Sequence, residues 1–107
     1  MILKIFAIHD SAVNAYLQPF FLQSEGQAVR TFQQMVNDPN SQANKNPDQF
    51  TLFYVGEYDD TTANFMMNTP KSLGNGMQYH DKEVDKDKKH DELIEFIKEI
   101  RSIILKD

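Results

Sequence analysis

His9, Asp10 and Ser11 are the three residue types of a hydrolase triad, set side by side in the chain. Neighbours on an extended segment point to opposite sides. They cannot form the relay in which a carboxylate orients an imidazole and the imidazole takes a hydroxyl proton. Glu57, Asp59 and Asp60 are oxygen ligands of the kind that hold calcium or magnesium, and a small metal-dependent enzyme built on them is one reading. Asp59-Asp60-Thr61-Thr62 is also ordinary turn chemistry, and the rest of a cation-binding loop is missing. His9, His80 and His90 have no mutual metal-ligand spacing. The last two stand among Asp81, Asp85, Asp87 and Asp91, where a solvated run of charges is the simpler account. Gly74-Asn75-Gly76 lacks the strand–loop–helix setting of a phosphate cradle. Cysteine is absent, which removes disulfides, thiolate metal sites and a thiol nucleophile. The expectation is a protein that is not an enzyme and holds no metal or cofactor.

The aromatic residues are the more informative set. Tyr16, Phe20, Phe21, Phe50, Phe53, Tyr54, Tyr58 and Phe65 are more rings than one small core needs. Most are expected to be buried. Any that stay on an open sheet face could stack nucleic-acid bases.

Charge bears on what such a face would meet. The 107 residues carry a formal net charge of −5. Residues 1–79 hold four cations (Lys4, Arg30, Lys45, Lys71) against seven acids, and residues 80–107 hold seven cations against nine acids. Neither part is a basic patch of the kind that dominates nucleic-acid binding. The opening Met1–Phe6 is too short for a signal-peptide core, and no stretch approaches a membrane-spanning length. A soluble protein of a reducing compartment, without a membrane partner, is expected.

The elements that would position these residues centre on Asp48–Asp60. There Phe50, Leu52 and Tyr54 alternate with Thr51, Phe53 and Val55. Both faces are largely apolar, as in a strand covered on both sides. Ile2–Ile8 reads as a first strand, and Ala63–Asn68 as a hairpin partner of the central one. Ala12–Leu22, broken by Pro19, reads as an aromatic connection lying on the core. Ser24 and Gln27 form a capping-box signature for a helix whose stripe is Ala28, Val29, Phe32, Met35 and Val36. Asp38-Pro39 ends that helix, and Asn40–Asp48 is a polar loop.

The fold expected is an α+β domain over residues 1–79, a small sheet of about three strands with one amphipathic helix packed on it. The first and central strands would be parallel neighbours through a right-handed crossover. Residues 80–90 form a charged linker and residues 91–107 a C-terminal amphipathic helix. Its Leu93, Ile97, Ile100 and Ile104 are spaced as a coiled-coil seam, from which a homodimer is expected.

Four pieces in order carry a family resemblance. They are Leu3-Lys4-Ile5-Phe6 with Asp10-Ser11; Ala15–Phe21; Gly26–Phe32 running to Val36-Asn37-Asp38-Pro39; and Asn46-Pro47-Asp48 through Asp59-Asp60. Together they resemble the small non-structural protein of gokushovirus-type microviruses, phages with single-stranded DNA genomes. The resemblance covers roughly residues 1–65 and leaves out the C-terminal third. It implies a role in viral DNA replication or packaging in the host cytoplasm, outside the capsid shell, with single-stranded DNA as a partner. On that reading Arg30 and Lys45 are the candidate phosphate contacts and Tyr54 and Tyr58 the candidate stacking rings. The alternative is an adaptor for a viral or host replication or capsid protein, supported by the acidic charge and the terminal helix.

Overall fold

A computed structural model describes residues 1–81. Strand β1 (Ile2–Asp10) is apolar on both faces and is paired along both edges. On one edge it meets two short strands, β2 (Ala15–Tyr16) and β3 (Phe20–Leu22). On the other it meets β4 (Phe50–Asp59), which in turn pairs with β5 (Asn64–Asn75). Every pairing is antiparallel, and the five strands form one sheet.

The expected α+β domain with about three strands is therefore corrected to a mostly β domain with a five-stranded antiparallel sheet. Three helices accompany the sheet among the described residues, and two of them are single turns of four residues. The sequence reading missed β2 and β3 because two- and three-residue strands are too short to show a period. It cut β5 short at Asn68, reading Thr69-Pro70 and Gly74-Asn75-Gly76 as punctuation. An edge strand tolerates proline, because the missing N–H can fall on the unpaired side.

The parallel pairing of the first and central strands is overturned as well. Ile2 stands opposite Asp59 and Asp10 opposite Phe50. The reason lies in the connection. After Asp10 the chain turns back along the outer edge of β1, and Leu22 ends beside Lys4. Helix α1 (Glu25–Asn37) thus begins at the starting end of β1. Its 13 residues, about 20 Å of helix, carry the chain back across the sheet. β4 then starts at the far end and must run antiparallel.

The N-cap forms as the sequence implied, but the reciprocal bond of a capping box goes to Gln23, one residue before the cap. Ser24 Oγ accepts from the Gln27 N–H at 3.2 Å, and Gln27 Oε1 accepts from the Gln23 N–H at 2.9 Å. Ala28, Phe32 and Val36 are buried from α1 against Phe6, Ile8, Phe50 and Leu52 of the sheet. The polar stretch after Pro39 folds too. Its α2 (Gln42–Lys45) inserts Ala43 into the same core, and Asn44 Nδ2 donates to the Val36 carbonyl at 3.0 Å. That bond satisfies one carbonyl at the end of α1. The last element, α3 (Gly76–Tyr79), lays the Tyr79 ring edge-on against Phe32, with centroids 5.8 Å apart. A side chain at Gly76 would strike the Pro47 carbonyl, so glycine is what lets this turn close. The charged linker from residue 82 onward, and the C-terminal helix with its Leu93, Ile97, Ile100 and Ile104 seam, lie outside the described residues.

Candidate functional site

The three helices among the described residues pack on one side of the sheet. The opposite side can be assigned from register, because residues directly across a ladder share a face. Ile5 pairs with Phe21 and Gly56, Ala7 with Phe53, His9 with Tyr16 and Thr51, and Leu3 with Tyr58, which pairs in turn with Phe65. This open side carries two ring clusters. Phe21, Tyr58 and Phe65 form one, with centroids 4.6 to 6.3 Å apart. His9, Tyr16 and Phe53 form the other at 4.8 to 6.4 Å, the His9 Nε2 lying 3.2 Å from Asn14 Oδ1.

Ile5 and Ala7 are buried between the clusters, flanked by their partners Phe21 and Phe53. Several residues of this face remain open to solvent: Phe65 is 58% exposed, Tyr16 47%, Phe21 40%, and Met67, paired with Gly56, 62%. Scattered surface apolar residues are ordinary. A run of them on one sheet face makes that face a candidate binding surface.

A bulge decides which rings reach this face. Ile5 pairs with Gly56, yet the next residue, Phe6, pairs with Tyr54, so Val55 is an extra residue in β4. Strand alternation shifts by one at that point. Tyr54 lies on the helix-covered side, its ring 5.7 Å from Phe6 and its hydroxyl donating to Glu57 Oε1 at 3.0 Å. Burial and the Glu57 carboxylate raise the phenol above the usual tyrosine range. Tyr58, beyond the bulge, lies on the open side. β5 then crosses close above Gly56, where an added Cβ would fall 2.6 Å from the Met66 carbonyl oxygen.

Of the four residues put forward from sequence for nucleic-acid contact, only Tyr58 belongs to this face. Tyr54 is on the opposite face. Arg30 lines an open depression on the outside of α1 with Gln33, Gln34, Asn37 and Asp81. Lys45 ends α2 and takes no part in that depression. The structure does not bring the four together.

Lys4, 5.7 Å from the Tyr54 ring, and Lys71, 3.9 Å from Glu25 of α1, are also on the helix side. The open face therefore holds no Lys or Arg among the described residues. The sequence reading names Tyr16, Phe21, Phe53 and Phe65 among its eight rings but does not separate them from the buried ones. Gly56 inside an apolar strand was the available signal, because glycine there marks a bulge or a close backbone approach.

The three carboxylates considered for a metal have separate partners. Glu57 accepts from Tyr54, Asp59 from the Thr61 N–H at 2.9 Å, and Asp60 Oδ1 meets the Met1 amino group at 2.8 Å. That backbone hydrogen bond at the turn holds the Asp59 carboxyl below its ordinary range. Among the described residues no group of three or more His, Asp or Glu converges.

The model of the Phage ORF5 protein family matches residues 3–79, from the first strand through the last helical turn described above. The chain belongs to that family and is a phage protein. No curated protein and no solved structure matches it.

Proposed function

We propose that this phage protein binds single-stranded DNA on the open face of its sheet, without catalysis, during viral DNA replication or packaging in the host cytoplasm. The observation that carries the reading is the pair of ring clusters, Phe21–Tyr58–Phe65 and His9–Tyr16–Phe53, on one strand face, with Tyr16, Phe21 and Phe65 exposed. The resemblance to the non-structural protein of gokushovirus-type microviruses supports the class of ligand.

Bases would lie on the rings, each stack contributing about 1–3 kcal/mol, and the phosphates would run outward into water. With the described cations on the other side, few counterions would be released. The affinity should then fall only shallowly with salt, since the slope follows the number of phosphates neutralised. The chain has four tyrosines and no tryptophan, so tyrosine fluorescence can follow oligothymidylate binding to the full protein. A Phe21→Ala, Phe65→Ala double variant should lose at least tenfold in affinity, about 1.4 kcal/mol. An Arg30→Ala, Lys45→Ala double variant should change it little. Binding abolished by the second pair and unaffected by the first would refute the assignment.

The absence of Lys and Arg from the open face among the described residues favours a second reading. An apolar surface with Phe, Tyr and exposed Met also suits a protein partner, a viral or host replication or capsid component. Under that reading oligothymidylate does not bind, and the same Phe21→Ala, Phe65→Ala variant loses a protein complex instead.

A further inference from the structure

We propose that β5 pairs edge to edge with β5 of a second copy, joining two five-stranded sheets into one. β5 is the last strand in the sheet order. Among the described residues its outer edge has no backbone partner along 64–72. An edge row of unpaired N–H and C=O groups is a template for another strand, and proteins ordinarily blunt it with charge, proline or irregular pairing.

Here those devices sit at one end only. Pro70 and Lys71 fall within the segment where the register with β4 shifts. The stretch Asn64–Met67, in regular register with β4, has none of them. It is apolar on both faces as well: Phe65 and Met67 emerge on the open side, Met66 on the helix side, and all three are exposed. Apolar side chains on both faces are the pattern of an interior strand.

The second copy is the occupant that charge selects. Thr61–Pro70 carries no charged residue, in a chain of net charge −5. Two acidic copies repel over most of their surfaces, and here like can meet like without that cost. An antiparallel pair of identical strands has its two-fold axis perpendicular to the sheet, so the interface is isologous and closed. The same axis keeps both open faces on one side. Phe65 and Met67 of the two copies would flank the seam and merge the two ring clusters into one surface. The pairing itself does not depend on what that surface binds.

The full chain should sediment as a reversible dimer. A Met66→Lys, Asn68→Lys variant sets like charges across the seam and leaves Phe65 and Met67 in place. It should raise the dissociation constant at least tenfold, with circular dichroism and thermal midpoint showing a retained fold. A Met66→Leu, Asn68→Ser variant should remain dimeric. Because the chain has no cysteine, single cysteines placed in turn at positions 64 to 69 give an independent readout. Oxidation should yield a covalent dimer at the position that faces itself across the axis. A monomeric wild-type chain, a dimer indifferent to the two lysines, or cross-linking at Ile97→Cys and at none of positions 64 to 69 would each overturn the proposal.

Discussion

Tyr54 and Tyr58, on one strand, face opposite sides of the sheet, with the bulge at Val55 between them. One ring is packed on Phe6 and tied through its hydroxyl to Glu57. The other stands between Phe21 and Phe65 on the uncovered face. Their substitutions should therefore separate function from fold.

Tyr58→Ala should weaken oligothymidylate binding by one stacked base, about 1–3 kcal/mol or roughly fivefold to more than a hundredfold. Tyr54→Phe, which keeps the ring and removes the hydroxyl, should leave that affinity unchanged. Fluorescence titration of the two variants side by side checks this. Equal losses would mean that the faces are not distinct in binding.

The raised Tyr54 phenol gives a pH dependence with a fixed sign. A proton held more tightly in the folded state contributes stability that is complete below the unfolded tyrosine pKa, near 10, and is lost as pH climbs through the higher folded value. Denaturant midpoints should fall above about pH 10 more steeply in the wild type than in Tyr54→Phe. Absorbance at 295 nm should show one of the four tyrosines ionising late, and that component should vanish in the variant.

Phe32 and Phe65 are both phenylalanines in ring contacts, yet one is fully buried and the other 58% exposed. Phe32→Ala should cost about 3–5 kcal/mol, enough to unfold a domain of this size. Phe65→Ala should cost about 1 kcal/mol or less. Urea denaturation of both variants tests the contrast.

Gly56→Ala places a methyl group against the Met66 carbonyl and the Met67 backbone. β5 must move away, at a cost of about 1–3 kcal/mol. Hydrogen exchange should then show faster amide exchange across Phe65–Met67 than in the wild type. Unchanged protection there would mean that the strand crossing is looser than described.

The helix and its core face were legible because α1 is long, with a cap at Ser24, a stop at Asp38-Pro39 and a stripe ending in Phe32, Met35 and Val36. The alternation of Phe50, Leu52 and Tyr54 was legible for the same reason. That alternation does not carry past Val55, where one inserted residue puts Tyr58 on the opposite face from Tyr54. Phe20–Leu22 could not be read as a strand because its structure comes from β1 rather than from its own pattern. Strand direction was missed with it, since that pairing turns the chain back before the helix begins. Nothing in the sequence around Arg30 and Lys45 fixes which side of the sheet they reach, and the fold places them on helices α1 and α2, away from the face that holds Tyr58.

The pairing of Ile2 with Asp59 also fixes an order of events at the ribosome. β1 emerges first, and its inner edge waits several seconds for β4 at about 5–20 residues per second. β2 and β3 arrive much sooner and can cover the outer edge meanwhile. Those two short strands thus act as a temporary guard on a nascent apolar segment that would otherwise expose both of its edges to other chains.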